Sequence, residues 1–147
     1  AIADYIIREN GTVYGCVLID GMVQHIRTEN EYGSMRGSKY VQSDLKNIYS
    51  EIAHDLSNGR KVLFTGTPCQ CESVKKYLTL KKIQSADLIL VDFICHGVPS
   101  PTLWKSYLEY NQKKEKSDLC RVFFRDKTNG WRNYSMMLGY KNKKKIF

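Results

Sequence analysis

Apolar positions along this chain recur at two periods, and the switches between them predict its elements. Residues 12–19 and 22–26 are strand-forming runs around Asp20-Gly21, a pair that suits the positive backbone angles of a two-residue hairpin. Tyr14 to Ile19 is almost continuously apolar, as expected for a strand covered on both faces. After a polar stretch from 27 to 42, Leu45, Ile48, Tyr49, Ile52, Ala53 and Leu56 fall at helical spacing. This predicts a helix capped by Ser43, running to about Ser57 and stopped by Asn58-Gly59. Residues 61–65 predict a short buried strand. Thr67 then caps a helix with Pro68 at its first position, running to about Leu80 with Val74, Tyr77 and Leu78 inward. Residues 87–95 form the strongest apolar run, broken only by Asp92, and predict a buried strand. A helix over 102–114 places Leu103, Trp104, Tyr107 and Leu108 on one side. Residues 121–125 and 131–140 predict a hairpin around Lys127-Thr128-Asn129-Gly130. The alternation of strand and helix implies right-handed crossovers. The expected fold class is α/β, a mostly parallel or mixed sheet with flanking helices plus antiparallel hairpins.

The 147 residues suffice for one domain with a real core. No apolar run approaches the length of a membrane span. The N-terminus has no signal-peptide layout and reads as the last turns of a helix, while apolar residues close the C-terminus behind a charge run. Both ends suggest a partial fragment of a longer protein, a single domain over 1–147, and the expected compartment is the cytoplasm. The net charge of +8 is localised: residues 1–100 hold 11 Lys/Arg and 11 Asp/Glu, whereas residues 101–147 hold 12 and 4. Such a region attracts nucleotide cofactors, nucleic acid or an acidic partner; for Lys143-Lys144-Lys145 a frayed, solvated tail is the reading preferred. Nucleic acid is not expected, since the cations are not interleaved with aromatics along one face.

Two cysteine-bearing turns carry the candidate chemistry: Gly66-Thr67-Pro68-Cys69-Gln70 and Cys95-His96-Gly97-Val98-Pro99. Each closes a predicted strand and opens a predicted helix. On neighbouring parallel strands they would share the edge where open α/β sheets bind ligands. Unpaired N–H groups at the first helix start attract a phosphate or thiolate, and Cys69 lies in that first turn, where the helix dipole favours thiolate; an inert packed cysteine is the equal alternative. His96 is poorly placed to deprotonate Cys95, because adjacent strand residues face opposite ways. Ligation of a metal or cluster by Cys95 with Cys69 demands less of the chain. Arg36-Gly37-Ser38-Lys39 suits a pyrophosphate, although it is not a P-loop. The basic and aromatic groups from Arg125 to Tyr134 suit stacking on a ring system or nucleobases, with Trp131 equally a core residue. The five cysteines are odd in number, irregularly spaced and without Cys-x-x-Cys, which points to reduced thiols or metal ligands rather than a disulfide framework. Cys16 and Cys120 read as structural.

Taken together, four segments resemble the coenzyme F420 hydrogenase/dehydrogenase beta-subunit family: residues 36–43, 61–70, 91–101, and 124–127 with Gly130-Trp131. The resemblance implies a flavin- and iron–sulfur-dependent oxidoreductase module. It would move electrons between 4Fe-4S clusters, FAD and a soluble carrier or small-molecule substrate, coenzyme F420 in the best-known members, beside a partner oxidoreductase subunit. Carried onto this chain, Arg36, Gly37, Ser38, Lys39, Gly66, Thr67, Gln70, His96 and Gly97 become cofactor-contacting candidates, and Cys69 and Cys95 candidate cluster ligands. Cys71-Glu72-Ser73 departs from the small apolar stretch expected there, and its added charge would disturb the site. A cubane cluster needs four ligands, and this piece offers two well-placed cysteines, so the fragment alone is expected to lack the cluster and activity. The competing readings are an anion- or nucleotide-binding module without redox work, and a thiol-dependent transferase using Cys69. For the latter, His25 and His54 have no evident link to the thiol.

Overall fold

The first hairpin forms at Asp20-Gly21, where both residues take positive φ (50° and 77°), and joins β1 (Thr12–Ile19) to β2 (Met22–Thr28). In this computed structural model, which describes residues 1–141 and, as backbone only, 144–146, β1 lies inside a four-stranded mixed sheet. Its order is β2-β1-β3-β4, with β3 (Val62–Thr65) parallel to β1 and β4 (Leu88–Val91) parallel to β3. The helices are α1 (Ile2–Arg8), α2 (Ile48–Ser57), α3 (Pro68–Leu80) and α4 (Pro101–Glu115). A second, antiparallel sheet is formed by β5 (Leu119–Asp126), β6 (Ser135–Tyr140) and β7 (Lys144–Ile146). The α/β architecture with antiparallel additions is the one expected from the periodicity. Of the lysine run, Lys143 lies outside the described residues, and the backbone of Lys144–Ile146 pairs with β6 as β7 rather than fraying.

Side chains alternate across the first sheet as the strand period requires. Tyr14, Val62 and Phe64 face α2 and α3, where Ile48, Ile52, Val74 and Leu78 close the core. Val13 and Leu63 point the other way, beneath Ile6 of α1. A third cluster joins the sheets: Trp104 and Leu108 of α4 pack on Val23 of β2 and on Val122, Phe124, Leu138 and Tyr140. Trp104 Nε1 donates to the carbonyl of Gly21 at 2.6 Å, tying α4 to the hairpin turn.

The structure corrects several expectations, among them the strand expected from 131, which begins only at Ser135 as β6. The second helix starts at Ile48, not Ser43. Asp44 runs alongside β2, its N–H donating to Val23 O and its carbonyl accepting from His25 N–H. That commitment, followed by the left-handed φ of Lys46 (40°), delays the helix by a turn. β4 ends at Val91, and residues 92–100 have no regular structure. As an edge strand paired on one side only, β4 is not buried either: Ile89 is exposed, and so are Phe93 and Ile94 beyond it. On α4 the inward positions are Trp104, Leu108 and Asn111, while Leu103 faces solvent.

Candidate functional site

The ends of β3 and β4 meet where Gly66 N–H donates to Val91 O at 3.1 Å. Both cysteine turns therefore leave the sheet on the same edge. Space explains the glycine: a Cβ on Gly66 would stand 2.8 Å from the Phe64 ring and 2.9 Å from Gln70 Oε1. Gln70, three residues past the cap Thr67, accepts from Thr67 N–H at 3.0 Å, the reach-back half of a capping box. Gln70 is buried, so its other end also needs a partner.

That partner starts a directed chain of bonds. Gln70 Nε2 donates to Ser43 Oγ at 2.9 Å, and Ser43 Oγ lies 2.8 Å from His25 Nδ1. His25 Nε2 lies 2.9 Å from Thr65 O. A carbonyl only accepts, so Nε2 carries the proton; Nδ1 of the neutral ring then accepts from Ser43. His25 is buried at 4 % exposure and stacks on Phe64 at 5.1 Å. Burial lowers its pKa, against a smaller opposing effect of the Thr65 carbonyl. His25 is thus linked to the first cysteine turn, a link absent from the sequence reading. The available signal was a histidine in phase with Val23 on a half-buried strand, since both occupy inward positions of β2.

The segment carrying Ser43 also reaches the second turn, through Gln42 N–H to Pro99 O at 3.1 Å. One loop therefore straps both turns to the sheet edge. Within residues 36–39, Lys39 is turned inward: its ammonium donates to the carbonyls of Met35 and Arg36 at 3.0 Å and of Gly37 at 3.3 Å. Burial lowers the Lys39 pKa, with neighbouring Cys16 opposing. To meet a phosphate, Lys39 has to release those carbonyls. Arg36 is exposed, its guanidinium 5.4 Å from the Tyr32 ring. Gly37 and Gly97 have φ of 87° and 103° and open space on the Cβ side.

The thiols are held locally. Cys69 is exposed, with Sγ 3.1 Å from Thr67 Oγ1, and Cys95 accepts from Gly97 N–H at 3.4 Å. Cys95 lies on the loop four positions past β4, and exposed His96 neighbours it there. Cys71 instead is buried against Gly66 O and Val91 O, and burial, then the charge of Asp92, raises its pKa. Glu72 points outward toward Lys76 at 3.9 Å, so its charge is directed away from the crevice. Cys16 is half-buried beside the α4 cluster, its pKa raised by burial. Cys120 is solvent-exposed and so does not pack in a core. Among the described residues no group of three or more His, Cys, Asp or Glu is placed to hold a metal ion.

Phe124 carries the second sheet up to this region, packing edge-on to Tyr40 at 6.2 Å and against Trp104 at 5.0 Å. Beyond it, Arg125 lies 5.0 Å from the Trp131 ring and 4.5 Å from the Tyr134 ring. Lys127 Nζ stands 3.5 Å from Trp131. Trp131 is 64 % exposed, which removes it from the core.

Residues 59–146 match the family model for the C-terminal part of the coenzyme F420 hydrogenase/dehydrogenase beta subunit. The matched stretch holds both cysteine turns and the β5–β6 connection; residues 36–43 precede it. No curated protein matches the chain. The match covers more than half of the sequence, and the chain belongs to this coenzyme F420 hydrogenase/dehydrogenase beta-subunit family.

Proposed function

We propose that this member of an oxidoreductase beta-subunit family is the flavin-binding part of an electron-transfer enzyme. It would pass electrons between FAD and a soluble carrier or small-molecule substrate, of the coenzyme F420 type in relatives, beside a partner subunit. The observation that supports this reading is the strap of residues 42–43, bonded to both cysteine turns at the C-terminal ends of β3 and β4, the side on which open α/β sheets generally bind ligands. The donor chemistry suits an anionic dinucleotide. The start of α3 offers backbone N–H groups, exposed Arg36 offers a guanidinium, and the positive-φ glycines 37 and 97 leave room for close backbone approach. FAD, when bound, supplies the exchange of one or two electrons. Thr67, Gln70, Ser43 and His25 hold the turn rigid, so that the backbone donors are aimed before the cofactor arrives.

The residues described do not by themselves fit a 4Fe-4S cluster. Such a cluster takes four ligands, and no three candidate ligands are grouped here. Cys69 and Cys95 are thiols with access to the edge, and no step is assigned to a cluster on them. The thiol-transferase reading has no geometric support, because Cys69 has Thr67, not a base, beside it.

The test is the visible spectrum of the anaerobically purified native protein, with acid-released flavin measured by fluorescence and iron and sulfide assayed in parallel. Flavin bands that weaken in Arg36→Ala are the expected result. A colourless protein, still free of flavin after reconstitution, overturns the proposal and favours the anion-binding module.

A further inference from the structure

We propose that the connection between β5 and β6 is a docking surface for an acidic stretch of another polypeptide, held by Arg125, Lys127 and Arg132 around the rings of Trp131 and Tyr134. Residues 125–134 contain three cations and one acid, Asp126. Asp126 Oδ1 caps the turn by accepting from Thr128 N–H at 3.0 Å. None of the three cations forms an ion pair with another described residue. Arg125 Nε is buried and has no hydrogen-bond partner among the described residues, so the part of Arg125 open to a partner is the rest of its guanidinium.

The class of occupant follows from how the rings are used. Trp131 already carries two cations, Arg125 at 5.0 Å and Lys127 at 3.5 Å, and Tyr134 carries Arg125 at 4.5 Å. The cations compete with a nucleobase or a flavin ring, the stacking role suggested by composition, for the same ring faces. The rings orient the guanidinium, leaving its N–H edge for a carboxylate, the geometry in which arginine binds carboxylates in pairs of bonds. Trp131 and Tyr134 are 64 % and 50 % exposed, so the cluster projects outward. Small ligands favour concave sites that bury most of their surface. An exposed set of Trp, Tyr and Arg is the composition of protein-interface hot spots. This inference does not depend on flavin binding.

A ten-residue glutamate peptide, titrated into the protein at low salt, is the direct probe. Trp104 is buried and Trp131 exposed, so a change in tryptophan emission reports on the connection. The expected result is saturable binding that 0.5 M salt removes, that a ten-residue glutamine peptide lacks, and that Arg125→Gln weakens at least tenfold. Lys127→Gln, on an exposed side chain, provides a second variant less able to disturb folding, with an expected loss of at least threefold. Equal binding by wild type and both variants overturns the proposal. So does tighter binding of inorganic pyrophosphate or of a single-stranded oligonucleotide at the same residues, which would make this a small-anion or nucleic-acid site.

Discussion

His25 shows how a single residue can organise an edge that no local motif marks. Its register opposite Cys16 puts the imidazole inside the sheet, where none of its direct partners, Ser43, the Thr65 carbonyl and the Phe64 ring, is charged. Those partners lie 18 to 40 positions away in sequence. The link therefore could not be read from spacing, whereas Thr67 and Gln70, three apart, could. Protonating the ring would put a second N–H against Ser43 Oγ and deprive the serine hydroxyl of its acceptor. Because the folded-state pKa is lowered, the unfolded chain binds the proton more readily. The stability contributed by neutral His25 is complete above the ordinary histidine value of about 6.5, and drains away as pH falls below it. Urea unfolding at pH 7.5 and 5.5 is expected to show a larger drop for wild type than for His25→Gln. Equal drops would place the pH dependence elsewhere.

At the scale of elements, the boundaries read correctly rest on a few neighbouring residues, whereas the local turn signal at 127–130 still placed the start of β6 four residues early, and the other misread boundaries depend on a distant partner. The β1–β2 hairpin, the stop at Asn58-Gly59 and the start of α3 each follow from two to four adjacent residues. Ser43 offered an equally plausible cap, but its hydroxyl is used by His25 and Gln70, and the backbone of Asp44 is used by β2. The apolar run at 87–95 likewise overstated β4, because hydrophobicity marks sites of burial without saying whether the covering surface is present. The turn between β3 and α3 is the element most constrained by space. Gly66→Ala would drive a methyl into Phe64 and the Gln70 carboxamide. An overpacking cost of about 1–3 kcal/mol is expected, together with loss of the Gln70–Ser43 strap. Denaturant midpoints measure the first effect and flavin content of the folded fraction the second. An unchanged midpoint would mean that the turn has slack its packing does not show.

Over the whole molecule, the candidate site and the main ion-pair network occupy different ends of the strands. The site uses the C-terminal ends of β3 and β4. Toward the N-terminal ends of β1 and β3, Asp55 of α2 is buried at 2 % exposure. It accepts from Tyr14 at 2.7 Å and from two nitrogens of Arg27 at 2.9 Å each. Arg27 and Arg60 share Glu29. Burial by itself would raise the Asp55 carboxyl, but the bonds from Arg27 and Tyr14 outweigh it and hold the group below the usual carboxylate range. Its contribution is therefore full at neutral pH and is lost only as pH falls below about 4, a window separate from that of His25. Breaking a buried pair costs on the order of 3–5 kcal/mol, and access of Arg27 to water favours the lower end. Asp55→Asn is accordingly expected to lose about 3 kcal/mol in urea unfolding and to flatten the acid limb of the stability curve. In the variant protein that remains folded, flavin content and the Trp131 response to the glutamate peptide should match wild type, because among the described residues no hydrogen bond joins Asp55 directly to Gln42 or Ser43, and the route between them passes through the backbone of Tyr14 and Thr65. A folded Asp55→Asn protein deficient in flavin would show that the two ends of the sheet are coupled, and that the edge is aimed by the ion-pair network as well as by His25 and Ser43.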